Sequence, residues 1–237
     1  MIIDEPELSL HPLAQKRLLQ LIAEYATQRQ IIISTHSPYF VEWEYIENEA
    51  RLNRIVKEED KVSKIYTLKE FNSYKPLISG GNWQQPYLAD VVAKEIFFQE
   101  NILFLEGQED VGLLKQYFKG TDVNIFGYGV RGYNGFEFAL RLAKDLGIKK
   151  ATVLLDSPVA HVEGQINETT IKNDLTEKFQ DYQILQWDKN DIRDKDSHTS
   201  VEKQGYFTKE GKIKQQDQVG DFDEKIGLIK SFHKPEL

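Results

Sequence analysis

The chain has 237 residues, 40% hydrophobic and 29% charged, which is the composition of a soluble globular protein with a sizeable buried core. It has no cysteine, which excludes disulfide bonds and cysteine-ligated zinc, and it shows no signal-peptide pattern, so a cytoplasmic location is expected. No apolar run is long enough to span a bilayer, which excludes a membrane partner. The net charge of −8 argues against coating nucleic acid by bulk electrostatics, but not against gripping it through bound metal ions.

The first predicted strand ends in two adjacent carboxylates. Residues 2–5 are Ile-Ile-Asp-Glu, the pattern of a buried parallel strand with chemistry at its C-terminal end. After Pro12 an amphipathic helix is predicted, because apolar residues recur at helical spacing: Leu18, Leu19, Ile22 and Tyr25. A second buried strand is predicted at 31–33, and it leads into the sequence STHSP, which contains His36.

The two motifs DEPELSLHP and ISTHSP, separated by one helix, resemble the ATP-binding-cassette type of ATPase head found in DNA-repair and defence ATPases. Asp-Glu alone is usually an ordinary solvated strand end, and the second motif is what favours the ATPase interpretation. The resemblance makes Asp4 the Mg²⁺ ligand of Walker B, Glu5 the catalytic base and His36 the switch that contacts the γ-phosphate.

The phosphate-binding loop of such a site, G-x-x-x-x-G-K-[ST], is expected upstream of these motifs. Residues 107–112 have the glycine spacing but continue Leu-Leu without a lysine, so they are rejected as this loop. ATP is therefore expected as a cofactor only with a complementing P-loop half. The chain is predicted to be the C-terminal part of a larger machine, partnered with itself in a homo-oligomer or with a chain that supplies that half.

The predicted organisation has three parts. Residues 1–80 are the C-terminal part of the ATPase domain, with strands at 51–56 and 62–68 as the last hairpin of its sheet. In residues 86–187 strands alternate with helices, which predicts a parallel α/β sheet; the strands are expected at 102–105, 123–126, 151–155 and 182–185, and the helices at 87–99, 109–118, 134–146 and 168–178. Residues 188–237 are a polar C-terminal extension with one helix at 221–232.

Carboxylates follow two strands of the predicted parallel sheet. Glu106 ends one strand and is followed by Gly107, with Asp110 in the first turn of the next helix, while Asp156 ends a second strand. Carboxylates at the C-terminal ends of parallel strands can converge on one divalent ion. Hard oxygen ligands without His or Cys nearby suit Mg²⁺ or Mn²⁺, so a site for one of these ions is expected.

This stretch resembles the Toprim domain of topoisomerases, primases and OLD-family nucleases, whose E-G-x-x-D motif is matched by Glu106, Gly107 and Asp110. The second Toprim motif, D-x-D, is matched only by Asp156, because its third position is Pro158. In the family the two acids of D-x-D help hold a second metal ion, so the loss of one would abolish, weaken or move that site.

An ABC-type ATPase followed by Toprim is the arrangement of the OLD-family ATP-dependent endonucleases, which include the nuclease subunit of the Gabija phage-defence system. The resemblance implies an α/β protein in which a partial ABC-type ATPase head precedes a Toprim domain with a Rossmann-like parallel sheet. It also implies a metal-dependent endonuclease that acts on DNA in antiviral defence. The sequence does not separate DNA from RNA as the substrate.

The polar tail contributes the last candidates. The segment WDKNDIRDKDSHTSVEKQGYF is similar to the one that follows the Toprim core in OLD-type nucleases, where a lysine approaches the scissile phosphate. Lys195 is the first choice for this role and Arg193 the second, and both would bind DNA. A solvated charged loop is the alternative for this segment. For the whole chain the alternative is a catalytically degenerate regulatory or interaction subunit without nuclease activity.

Overall fold

The computed structural model describes residues 1–57, 62–68, 94–127, 132–157, 168–196 and 204–234. The chain divides into two compact units, Met1–Phe98 and Gln99–Leu237. The domain boundary predicted near Pro86 and the Toprim departure at Pro158 both lie outside the described residues. None of the helices in the described ranges combines the length and the apolarity that a membrane crossing requires.

The described residues of the N-terminal unit form two small sheets. Its elements in chain order are β1 (Ile2–Asp4), α1 (Pro12–Ala26), β2 (Ile32–Ser34), α2 (Trp43–Glu47), β3 (Asn53–Lys57) and β4 (Ser63–Thr67). The strands β1 and β2 pair in parallel through the α1 crossover, whereas β3 and β4 form an antiparallel hairpin of their own. The expectation that this hairpin closes the ATPase sheet is therefore wrong for the residues described.

The strands β1 and β2 are less buried than their sequence predicts. Ile2 is 77% exposed and Ile32 is 53% exposed, because each strand has one sheet neighbour in the described chain and α1 is its crossover. On α1 the apolar pattern is only partly confirmed, since Leu19 and Ile22 are buried but Tyr25 faces solvent. The helix begins where predicted, with Pro12 in its first turn and the His11 ring accepting a hydrogen bond from the backbone N–H of Leu13.

The helix predicted at 87–99 is described from Lys94 onward, where the chain forms a 3₁₀ turn at Glu95–Phe98. Lys94 is buried within the N-terminal unit, and its Nζ lies 2.8 Å from the Glu42 carboxylate. The rings of Trp43 and Phe97 pack beside this ion pair with centroids 5.5 Å apart. Because a buried ammonium is costly unless it is paired, Glu42 is the partner that allows Lys94 to lie inside.

The second unit is built around a parallel sheet. Its elements are β5 (Asn101–Leu105), α3 (Gln108–Leu114), β6 (Asn124–Phe126), α4 (Gly132–Asp145), β7 (Lys150–Leu155), α5 (Glu168–Lys178), β8 (Gln183–Gln186), α6 (Gln216–Val219) and α7 (Phe222–Phe232). All neighbouring strands are parallel, in the order β6-β5-β7-β8. The predicted α/β class and the parallel sheet are confirmed, and each predicted strand and helix of this unit lies within two residues of its observed bounds once the 3₁₀ turn Lys115–Phe118 is joined to α3.

Burial on both faces explains why β5 and β7 are almost entirely apolar after their first residues, with Thr152 as the exception. Residues 102–105 of β5 and 151–155 of β7 are almost completely buried, as central parallel strands must be. After α4, Gly147 adopts a left-handed φ of 67° and ends the helix. The N–H groups of Gly147 and Ile148 donate to the carbonyls of Lys144 and Ala143, the two bonds of a Schellman motif, which turns the chain into β7.

The C-terminal segment, expected to be a polar extension, contributes several buried residues to the core of the second unit. Tyr206, Phe207 and Phe222 are at most 1% exposed, and the Trp187 ring stacks on Phe222 with centroids 5.5 Å apart. The Tyr206 hydroxyl donates to Asp221 and accepts from two backbone N–H groups after β8. The prediction failed because Trp187, the Tyr206-Phe207 pair and Phe222 are separated by polar stretches and meet only through tertiary packing.

A buried polar network joins the sheet to the end of α7. The Thr152 hydroxyl donates to Gln183 Oε1 at 2.9 Å and lies 3.0 Å from His233 Nε2, which must therefore be the protonated ring nitrogen. His233 Nδ1 is buried and has no hydrogen-bond partner among the described residues. Burial lowers the pKa of His233 to about 4, and the nearby positive charge of Lys150 adds to this effect.

Acidification should therefore weaken the folded state. The pKa of His233 is about 4 when folded and near its ordinary value of 6.5 when unfolded, so between these values only the unfolded chain binds the proton. The free energy of unfolding should fall by up to about 3 kcal/mol from pH 7 to pH 4, with the full contribution present above pH 6.5. Urea unfolding across this range checks the expectation, and His233→Gln, which keeps a donor for Thr152 but does not titrate, should show a flatter profile. Parallel profiles for the two proteins would contradict it.

Candidate functional site

The end of β1 and the turn after β2 lie side by side in the N-terminal unit. Asp4 is opposite Ser34 in the sheet, and the backbone N–H of Glu5 donates to the Ser34 carbonyl at 2.8 Å. Glu5 has a φ of 43°, an uncommon conformation for a residue other than glycine. Its carboxylate lies 3.5 Å from Nε2 of His36. The structure thus brings together two of the three predicted ATPase side chains, Glu5 and His36, while Asp4 is exposed at the strand end beside them.

A residue missed by the sequence analysis holds the switch segment. Glu7 Oε1 accepts a 2.6 Å hydrogen bond from the backbone N–H of His36. The next residue is also fixed, because the Ser37 hydroxyl donates to Gln15 at 2.6 Å and accepts from Tyr39 N–H at 3.2 Å. The His36 ring itself is 82% exposed. The backbone of the switch is therefore held while its ring is left accessible.

The second centre lies at the C-terminal edge of the parallel sheet. Glu106 and Asp156 follow the neighbouring strands β5 and β7, and Glu106 Oε1 accepts a hydrogen bond of 3.4 Å from the backbone N–H of Asp156. The two predicted acids therefore lie at one edge, as the strand order requires. On the far side of Asp156, the Ser157 N–H donates to the Lys189 carbonyl, so the chain after β8 closes over this edge.

Asp110 has a structural role in addition to its candidate role as a metal ligand. Its Oδ2 accepts a 3.1 Å hydrogen bond from the backbone N–H of Gly107, which fixes the turn between Glu106 and α3. Burial raises the pKa of Asp110 to about 6; the Gly107 hydrogen bond opposes the rise, and the negative charges of Glu106 and Asp191 add to it. The charge of Lys195 lowers the pKa of Asp110, which places this cation in the same electrostatic neighbourhood.

The two predicted cations lie beside α3 and are held by ion pairs. Lys195 Nζ is 2.8 Å from an oxygen of Asp191 and 2.8 Å from Oε2 of Glu109, while Arg193 Nη2 contacts Oε1 of Glu109. Burial by itself lowers the pKa of Lys195, but the hydrogen bonds to Asp191 and Glu109 outweigh it and leave the pKa raised. Both side chains are about 70% covered, so these two cations are not fully solvated.

The sequence analysis did not identify the two carboxylates that pair with these cations, Glu109 and Asp191. Glu109 occupies a variable position inside E-G-x-x-D, so the motif gives it no weight. Asp191 is 2% exposed, and only its spacing of four residues from Lys195 hinted at a pair. In the described part of the chain no three His, Cys, Asp or Glu side chains stand together as a complete metal-binding set.

Two glycines allow the close backbone approaches that form this edge. A Cβ on Gly127, just after β6, would lie 2.4 Å from the Gly107 carbonyl oxygen and 2.5 Å from a methyl group of Val111. A Cβ on Gly205 would lie 2.2 Å from the backbone nitrogen of Arg193. Gly127 thus packs against the turn after Glu106, and Gly205 against the segment that carries both cations.

Comparisons with known proteins give one family match in the N-terminal unit and one curated relative over a longer stretch. Residues 1–42 match the family AAA_21, described as "AAA domain, putative AbiEii toxin, Type IV TA system". The OLD nuclease of Thermus scotoductus (strain ATCC 700910 / SA-01) is 30% identical over 184 residues, covering 72% of this chain and 33% of that protein. These similarities support an OLD-like ATPase and nuclease family. The chain spans about a third of the length of this curated relative.

Proposed function

We propose that the chain is the C-terminal part of an OLD-like ATP-dependent nuclease whose second unit, a Toprim domain, hydrolyses DNA phosphodiester bonds in phage defence. The observation that carries the proposal is the meeting of Glu106 and Asp156 at one edge of the parallel sheet. Two cations, Arg193 and Lys195, lie on the adjoining segment, where the charge of Lys195 acts on Asp110. The similarity to the OLD nuclease covers most of the chain and supports the same reaction class.

The donor atoms at this edge have the chemistry that a divalent cation requires, although the described side chains are not gathered into a complete set of ligands. Glu106, Asp110 and Asp156 offer only carboxylate oxygens, the ligands that Mg²⁺ and Mn²⁺ prefer. Burial and the neighbouring acids raise the pKa of Asp110, and a bound cation would relieve this electrostatic cost. When bound, such an ion supplies an activated water and neutralises negative charge on the phosphodiester.

The remaining chemistry belongs to the cations. Lys195, held by the buried carboxylate of Asp191, would place an ammonium beside the phosphate oxygens on which negative charge develops. Arg193 would add the planar guanidinium that matches two phosphate oxygens at once. Each of these two side chains is about 70% covered by protein. This partial burial lowers the local dielectric constant and would strengthen the attraction of both cations for a phosphate.

The N-terminal unit would serve the ATPase half of the same machine. Glu5 and His36 lie within 3.5 Å, consistent with a base and a switch acting on one γ-phosphate, and Asp4 would hold its Mg²⁺. A P-loop half is required to bind ATP, supplied by a partner or by another part of the protein. Nucleotide state would then control assembly or access of DNA to the nuclease edge.

Metal-dependent stabilisation and cleavage test the proposal. Mn²⁺ or Mg²⁺ should raise the melting temperature of the full chain, because a ligand at one hundred times its Kd stabilises the folded state by about 2.7 kcal/mol. Glu106→Ala should remove both this shift and the nicking of supercoiled plasmid in Mn²⁺. Pro158→Asp, which restores D-x-D, should strengthen both. Glu177→Ala, at an exposed position of α5, is the control and should behave like the parent chain.

The same response of all variants to metal and DNA would contradict the proposed nuclease activity. If the parent chain, Glu106→Ala and Pro158→Asp respond alike to metal and to plasmid, the edge is not a nuclease centre. The chain would then be a regulatory or interaction subunit that keeps the fold alone.

A further inference from the structure

Glu109 forms ion pairs with two cations of the segment after β8. One of its carboxylate oxygens contacts Arg193 Nη2, and the other lies 2.8 Å from Lys195 Nζ. These are the two cations that the proposed function assigns to phosphate. A carboxylate bridging a guanidinium and an ammonium has the geometry and the charge sign of the anion that both cations would otherwise bind.

The contacts of Lys195 and Arg193 show that Glu109 is the exchangeable partner. Lys195 is also held by Asp191, which is 2% exposed and lies within 3.0 Å through both of its oxygens. Arg193 donates from Nη1 to the Lys209 carbonyl at 2.6 Å. These two contacts would keep the cations in place if the Glu109 side chain, which is 36% exposed, rotated away.

Glu109 does not satisfy every hydrogen-bond donor of the two cations. Arg193 Nε is buried and has no hydrogen-bond partner among the described residues. The two oxygens of Glu109 are both used, one on each cation, whereas a phosphate presents additional oxygens. A buried donor left unsatisfied is costly, so an anion with more acceptor atoms would complete the site better than the carboxylate does.

We propose that Glu109 is a built-in competitor for the phosphate of the substrate: its carboxylate closes the Arg193–Lys195 anion site and is displaced when a phosphodiester binds. The inference rests on the proposed function for the nature of the substrate, but the anion site itself does not depend on cleavage. Glu109 would weaken capture of isolated phosphate groups. A nucleic acid, which presents a phosphate while its other contacts are made, would displace the carboxylate.

The test removes the charge of Glu109 and keeps its shape. Glu109→Gln should bind a fluorescent DNA duplex roughly five- to tenfold more tightly in EDTA, because two partly exposed ion pairs no longer compete. The binding constant should also depend more steeply on salt, by about one unit of slope for each additional phosphate that the protein neutralises. Glu177→Gln makes the same change of charge on the exposed face of α5 and should alter binding by less than about twofold.

Inorganic phosphate is the second probe, because it separates the anion site from DNA recognition. At matched ionic strength it should raise the melting temperature of Glu109→Gln more than that of the parent chain, and adding Arg193→Gln should cancel the gain. If phosphate stabilises Glu109→Gln and Glu177→Gln equally, Glu109 is not a competitor, even where plasmid cleavage succeeds. If phosphate discriminates them but no protein binds or cleaves DNA, the anion site stands and the proposed nuclease function fails.

Discussion

Gly205→Ala should unfold or severely weaken the second unit. The added Cβ would lie 2.2 Å from the backbone nitrogen of Arg193 and 2.4 Å from its Cα, distances that only a backbone shift can relieve. Gly205 does not have a positive φ, so the cost is steric rather than conformational. We expect a loss of at least about 4 kcal/mol in the free energy of unfolding, measured by urea denaturation.

The backbone shift would also break the hydrogen bonds between residues 205–206 and residues 192–194, the segment that contains Arg193. The Gly205 N–H donates to Asp194 at 2.9 Å, and the Tyr206 N–H donates to the Ile192 carbonyl at 2.9 Å. Gly112→Ala is the matched control, since a Cβ there meets no atom within 4 Å and lies in α3, where alanine is favoured by up to about 1 kcal/mol. Equal stability of the two variants would show that residues 204–207 do not pack tightly against 190–194.

The sequence was sufficient for the parallel sheet of the second unit because its signals are local. Residues 102–105 form a continuous apolar run and residues 151–155 a run interrupted only by Thr152, the pattern of central strands in a parallel sheet. The helix at 168–178 has the predicted bounds, and Gly147 ends α4 as expected. The order of the strands then brings Glu106 and Asp156 to one edge without further information.

What the sequence did not reveal depends on distant partners. Tyr206 and Phe207 are flanked by glycine, lysine and glutamine, so their burial follows only from packing against Trp187 and Phe222. The prediction for Ile2 was wrong in the opposite direction: it was expected to be buried but is exposed. An apolar residue in a strand is buried only if another layer of structure covers it. Glu109 and Asp191 look like ordinary surface charges in the sequence. Their roles appear only when α3 and the segment after β8 are seen together.

Gly127→Ala should damage the acidic edge directly. Its Cβ would lie 2.4 Å from the Gly107 carbonyl oxygen and 2.5 Å from Val111 Cγ2, so the turn between β5 and α3 must move. That turn carries Glu106 and is fixed by the 3.1 Å hydrogen bond from the Gly107 N–H to Asp110. We expect a loss of at least about 4 kcal/mol of stability, since the obstacle is backbone and a packed side chain rather than a flexible chain end.

A second glycine-to-alanine variant separates the steric clash at Gly127 from the general effect of replacing glycine by alanine. Gly227 lies in α7, and a Cβ there meets no atom within 4 Å, so Gly227→Ala should leave stability unchanged or raise it by up to about 1 kcal/mol. If enough folded Gly127→Ala remains at low temperature, its melting temperature should no longer rise with Mn²⁺, whereas that of Gly227→Ala should. A normal metal response in a destabilised Gly127→Ala protein would show that the Glu106 turn does not have to hold its position for metal to bind. Glu106 would then be only a nearby acid, and the metal would have to be held elsewhere at this edge.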